Sequence, residues 1–203
     1  MNVADAVVPV KQRIDFVDPK SITDPAMRAE FARAAREGAP RPESHAIRAN
    51  VPAVFWAFAD AWKATFVEGI CEHAIKELCR LYVAQSVKCD YCGNQRSVAA
   101  FRQALAEDDV RDLLEFEKST RFGAPQKAAL RLAEAITWGL DADDALWAEL
   151  YRHFPQPQIV ELGFFIGLTM GQQRWNRLLN IEHNKFMAGD SGGLAPALSQ
   201  GTA

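Results

Sequence analysis

Several features that would assign a protein quickly are scarce in this chain. Cysteine and histidine occur four times each in 203 residues, and so sparse a cysteine set excludes a disulfide-built scaffold. Charge of one sign is also missing. The 23 Lys+Arg stand against 26 Asp+Glu, a net of −3 with no basic block, which argues against a dedicated nucleic-acid binder. The longest apolar stretch, Ile159 to Met170, contains Glu161 and is too short to cross a bilayer. The opening MNVADAVVPVKQRIDF lacks a basic segment followed by a long apolar run, so no secretory signal is expected. The expectation is a soluble, cytoplasmic protein with neither nucleic-acid nor membrane partners. Hydrophobic residues make up 49% and charged residues 24%, enough for a substantial core in one large domain.

Period-two alternation is absent too, and helical spacing takes its place. Asp24-Pro25 reads as an N-cap with proline at the first helical position, opening AMRAEFARAARE, which stops at Gly38. A proline-bracketed connector, APRPES, leads to a helical stretch from Ala46 to Val67, with a restart at Asn50-Val51-Pro52 and a stop at Gly69. From Cys71 to about Ser86, apolar residues at 71, 74, 75, 78, 79, 82 and 83 make one helical face. A helix from about Cys89 to Glu107 is expected next, then Val110 to Thr120, then one opened by Pro125. Asp141 is expected to cap DADDALWAELYRHF, and Gln158 to about Ile181 forms a long apolar helix. The fold class is all-α. The expected organisation is an N-terminal arm with a short helix (1–45), a helical domain (46–188) and a Gly/Pro-rich tail (189–203).

The chemistry concentrates in Cys89-Asp90-Tyr91-Cys92, a C-x-x-C pair at an expected helix start. Helix N-termini stabilise thiolates, the reacting form of cysteine. Two thiols one turn apart can close a disulfide, so one can attack an oxidant and the other resolve the sulfenic acid. Arg96, four residues after Cys92, is placed to favour a thiolate, whereas Asp90 opposes one. A zinc site built from all four cysteines lacks the second tight knuckle of structural zinc motifs. Cys71 and Cys79 fall on the apolar face and read as packing. The five tryptophans read as core or subunit interface.

Glu77 stands twelve residues before Cys89, so the segment KELCRLYVAQSVKCDYCGNQRS carries E-x11-C-x-x-C. With AIRANVPAVFWAFADAWK, PQKAALRLAEAI and HFPQPQIVELGFFIGLTMGQQRWNRLLNI, it resembles the carboxymuconolactone decarboxylase-like superfamily, in its alkylhydroperoxidase D-like branch, over residues 46 to 182. The resemblance implies an all-helical fold around a helical hairpin core, assembled as a dimer, trimer or hexamer. It implies a peroxidase or disulfide reductase with no metal and no organic cofactor. Cys92 would be the attacking thiol, Cys89 the resolving thiol and Glu77 part of a proton relay, with an external thiol as electron donor. The relay histidine of that branch is Arg96 here, which cannot shuttle a proton near neutral pH. Arg96 can act as a fixed charge or pair with Glu77, and His73 and Tyr91 are the substitutes considered. His153 reads as a helix C-terminal cation, and His45 and His183 as peripheral. Glu161 requires a donor, for which Arg174 and Arg177 are the guesses. Two other readings stay open: lactone or decarboxylase chemistry of the superfamily's other branch, and a non-enzymatic, redox-responsive oligomer.

Overall fold

The computed structural model describes residues 11–181. The expected tail from residue 189 and His183 lie outside the described residues. Helix α1 (Pro25–Glu37) starts as its sequence dictates. Asp24 accepts from the Ala26 N–H at 2.8 Å, Pro25 follows, and Gly38 ends the helix at φ 78°. Its Met27, Phe31 and Ala34 are buried at i, i+4, i+7 spacing. Helix α2 (Pro42–Arg48) begins inside the expected connector and is buried along its whole length, so the boundary drawn after residue 45 falls within a helix. Helix α3 (Pro52–Trp62) restarts at Pro52 and runs into one π turn (Lys63–Val67).

Helix α4 (His73–Ser86) is the centre of the molecule. It packs against α8 (Ala124–Trp138) and α10 (Gln156–Leu179) on one side and against three short helices on the other. Those are α5 (Asp90–Gly93), α6 (Val98–Arg102) and α7 (Glu107–Asp112). Helix α9 (Asp144–His153) packs on α8 and is capped by Asp143, which accepts from the Leu146 N–H at 2.9 Å, rather than by Asp141. The all-α expectation holds, and no β-strand forms among the described residues. The expected apolar face of α4 carries Ile75, Leu78, Cys79, Tyr82 and Val83 into the main core. Its opposite face is not solvated, however. Lys76, Glu77 and Arg80 are at most 2% exposed, so nearly the whole helix is inside. The arm is tied to the body: the Val17 N–H donates to Ala46 O at 3.0 Å, and the Arg13 N–H donates to Leu179 O at 3.0 Å.

The single helix expected from Cys89 to Glu107 is instead two short helices, α5 and α6, with α7 beginning only at Glu107. Periodicity alone could not show the break, because tertiary contacts make it. The Gln95 side chain accepts from the Arg41 N–H (3.1 Å) and donates to Tyr91 O (3.1 Å). Ser97 then caps a new helix, its hydroxyl accepting from the Ala100 N–H at 3.4 Å. A second break falls at Ala104, at φ 70°.

Candidate redox site

Helix α4 ends with Lys88 at φ 55°, and the turn it makes delivers Cys89 to the N-cap of α5. Cys89 and Cys92 are joined by a disulfide, with Cα atoms 5.3 Å apart, inside the range the bond requires. Helix α5 has only four residues. The dipole argument for a long helix starting at Cys89 therefore does not apply, and local groups must set the thiol chemistry.

The two sulfurs face different spaces. Cys92 lines an inner cavity of ≈ 20 Å³ whose other walls include Arg48, Phe58, Trp62, Gln173 and Asn176. Asn176 of α10 donates from Nδ2 to Cys92 Sγ at 3.7 Å. Cys89 lines an outer groove of ≈ 530 Å³ with Lys88, Asp90, Arg96, Glu107 and Arg111. Both cysteines are nearly fully buried.

Glu77 is buried beside the pair, and its partner is Arg80 rather than Arg96. Arg80 donates to both Glu77 oxygens, at 2.7 and 2.8 Å, and to Cys92 O and Gln95 O, each at 2.9 Å. Glu77 accepts a further bond from the Ser97 N–H at 2.8 Å. Arg80 thus clamps the carboxylate to the backbone of the C-x-x-C loop. The signal for Arg80 was present in the sequence: His73, Lys76, Glu77 and Arg80 repeat at i, i+3, i+4, i+7, a polar stripe opposite the apolar one. Arg96 is drawn to Glu107, at 2.8 and 3.0 Å, and caps Gly93 O (2.5 Å) and Gln95 O (2.8 Å). Because the helix is broken, Arg96 stands on the Cys89 side of the loop, not in the cavity of Cys92.

His73 reaches Glu77 indirectly. Its Nδ1 lies 2.9 Å from Phe66 O and its Nε2 2.7 Å from Ser97 Oγ, on the residue whose N–H binds Glu77. Phe66 O can only accept, so Nδ1 carries the proton and Ser97 donates to Nε2. Burial lowers the His73 pKa, favouring this neutral form. The Tyr91 hydroxyl is committed elsewhere, accepting from the Ser44 N–H at 3.0 Å and donating to Arg41 O at 3.3 Å. Burial raises its pKa, and it ties α5 to α2. His45, expected at the periphery, is fully buried among Phe31, Phe55 and Phe58. His153 pairs with Glu149 at 3.1 Å near the end of α9.

The donor to Glu161 is Lys76, at 3.0 Å, not Arg174 or Arg177. Glu161 also accepts from the Ile70 and Cys71 N–H groups at 2.6 and 2.9 Å. Burial works to raise its pKa, but these donors together lower it. Lys76 donates as well to Thr65 O, in the π turn, at 2.6 Å. A Cβ at Gly69 would collide with Thr65 O and the Glu161 carboxylate, so the stop read at Gly69 is also a packing requirement. Cys71 and Cys79 are buried thiols. Burial raises Cys71 to about 11 and Cys79 further still. Among the described residues no group of three or more His, Cys, Asp or Glu is placed to hold a metal ion, and no helix is long and apolar enough to cross a membrane.

An all-helical body holds a buried glutamate behind a C-x-x-C turn, and comparison with known proteins bears on its fold. The carboxymuconolactone decarboxylase family model matches residues 52–135. The match spans less than half of the chain, and the chain has the AhpD-like helical fold. Among solved structures it is similar to the alkylhydroperoxidase AhpD core of a peroxidase-related protein from Ralstonia eutropha JMP134. That match has a TM-score of 0.70 at 15% identity, over 86% of this chain and 94% of the other. It is similar also to the debrominase Bmp8, solved as a cysteine-to-alanine variant with 2,3,4-tribromopyrrole (TM-score 0.71, 17% identity, 85% of this chain and 92% of the other). In sequence it is 27% identical over 108 residues to the Escherichia coli (strain K12) protein YnjA, an alignment spanning 53% of this chain and 59% of that relative.

Proposed function

We propose that this protein is a thiol-dependent oxidoreductase that reduces a hydroperoxide or a partner's disulfide through Cys92 and Cys89. The observation that carries this reading is the division of the pair between two spaces: Cys92 opens on a narrow, partly enclosed cavity, Cys89 on the wider outer groove. An attacking thiol benefits from a site shielded from water, and a resolving thiol must afterwards meet an external reductant. Cys92 attacks, Cys89 then displaces the oxygen of the sulfenic acid or the partner's thiol of the mixed disulfide, and an external dithiol restores the pair from the groove.

Glu77 supports this chemistry by position. It holds Arg80 against the Cys92 carbonyl and keeps the loop in register. Arg96 supplies fixed charge on the Cys89 side, and His73 and Tyr91 hold the walls. The chain also self-associates in this reading. Val160, Phe164, Trp175 and Leu178 leave an exposed apolar line along α10, more than a solitary surface residue would explain.

The test is peroxide consumption and disulfide reduction with a dithiol donor, wild type against Cys92→Ser and Cys89→Ser. Loss of turnover in Cys92→Ser is expected. Equal rates in wild type and Cys92→Ser, or no turnover with any dithiol, would refute the reading.

A further inference from the structure

Three residues that line the cavity with Cys92 each carry a buried polar atom without a hydrogen-bond partner. Arg48 Nη1, Trp62 Nε1 and Gln173 Oε1 are buried without a hydrogen-bond partner, and all three residues line the ≈ 20 Å³ cavity with Cys92. Each residue is more than nine-tenths buried. Three orphaned polar atoms in one place are costly to the fold, since each unmade buried bond forfeits a desolvation penalty. The rest of each side chain is fixed. Arg48 donates from Nη2 to Gln172 Oε1 at 2.9 Å and stacks 3.6 Å from the Phe58 ring centroid. Gln173 donates from Nε2 to Arg80 O at 3.0 Å and Thr169 Oγ1 at 2.8 Å. Trp62 is wedged against Phe58, Phe66 and Phe165. The orphans are therefore held by packing, not by chance rotamers. Burial lowers Arg48 to about 10, which leaves it charged at neutral pH.

We infer that Arg48, Trp62 and Gln173 form a recognition subsite for the oxygen displaced from a small, polar oxidant of hydrogen-peroxide size. The inference rests on the thiol-oxidoreductase reading above and names its substrate class. Two N–H donors, one of them cationic, suit an oxygen that gains negative charge, and Gln173 Oε1 accepts from the oxidant's O–H. Size follows from the volume. A site needs about 10–15 Å³ to hold one water, so ≈ 20 Å³ accommodates a two-atom oxidant within its walls, whereas a branched alkyl group must project out through the open side.

The step balances. The Cys92 thiolate gives an electron pair to one peroxide oxygen, the S–O bond forms and the O–O bond breaks. The displaced hydroxide leaves toward Arg48 and Trp62 and takes the proton lost by Cys92. The Cys89 thiol then attacks Cys92 Sγ, the S–S bond forms, and the second oxygen leaves as water with the Cys89 proton. Two thiols and one hydrogen peroxide yield one disulfide and two waters.

The experiment is single-turnover oxidation of the reduced protein, followed by loss of free thiol, with hydrogen peroxide and with tert-butyl hydroperoxide. Hydrogen peroxide is expected to react at least ~10-fold faster, and Arg48→Gln to slow it by about 10²-fold, the loss typical of one preorganised donor. Trp62→Phe keeps the ring, loses the N–H, and is expected to slow the same reaction should Arg48→Gln fold poorly. A branched hydroperoxide that reacts as fast, or wild-type rates in Arg48→Gln and Trp62→Phe, would overturn the subsite. A second arm separates this from the parent reading: crystals of the oxidised protein are soaked in bromide, which is located by anomalous scattering. If neither a hydroperoxide nor a small disulfide oxidises the reduced pair but bromide sits between Arg48 and Trp62, and is absent in Arg48→Gln, the oxidoreductase reading falls and the anion subsite stands. No bromide together with unaltered rates removes both the subsite and its substrate class.

Discussion

Replacing Arg80 with methionine removes four hydrogen bonds, but they do not matter equally. Gln95 O keeps its bond from Arg96 (2.8 Å), and Cys92 O keeps the Gln95 N–H at 3.4 Å. Glu77 suffers most. Its carboxylate is 0% exposed and would keep only the bond from the Ser97 N–H. A buried ion pair broken on one side typically costs about 3–5 kcal/mol, a large share of the roughly 5–15 kcal/mol that holds a domain folded. Glu77→Leu is expected to cost a similar amount, because it strands the guanidinium. The double variant Glu77→Leu/Arg80→Met removes both charges, so its loss is expected to be smaller than the sum by about 2–3 kcal/mol. Urea unfolding of the four proteins, with m-values compared to check that the unfolded states match, measures the coupling. Additive losses, or an Arg80→Met cost below about 1 kcal/mol as for a surface pair, would refute the claim that this pair braces the loop.

Two further outcomes follow from the buried titratable groups. Burial lowers the His45 pKa from 6.5 to about 4, despite the opposing pull of Glu30; Arg33 and Arg48 are the neighbouring cations. The fold therefore favours neutral His45: its contribution is complete above pH 6.5 and is lost as pH falls through 4, on the order of 3 kcal/mol in all. Hydrogen bonds from Arg33 and His45 pull Glu30 to about 2 against the effect of burial, so its own loss comes at lower pH. Urea midpoints measured from pH 7 to pH 4 should fall, and a His45→Phe variant should fall less; parallel curves would contradict the burial argument. Separately, iodoacetamide at neutral pH should label the reduced native protein at Cys89, which lines the wide outer groove, while sparing Cys71 and Cys79, whose thiols burial holds protonated. Mass spectrometry that found Cys71 or Cys79 modified before unfolding would refute this.

The helical class, the major helices and the C-x-x-C pair are all legible in the amino-acid order. Periodicity, proline starts and glycine stops are local, and a helix reads them within a few residues: Asp24-Pro25 and Gly38 bound α1 as they stand in the chain. The E-x11-C-x-x-C spacing is likewise one-dimensional, so the chain itself links Glu77 to the two cysteines. Partners across the fold were not legible. Lys76 reaches Glu161 over 85 positions, and Asn176 reaches Cys92 over 84; no spacing rule connects residues that meet only because α10 packs against α4 and α5. The same physics explains Arg96. Its expected place rests on one continuous helix, whereas Gln95 and Ser97 find better partners in the tertiary structure and break it. Which face each sulfur takes, and which cation shares the space of Cys92, are decided by packing, because a buried charge settles where its hydrogen bonds and its desolvation are best balanced.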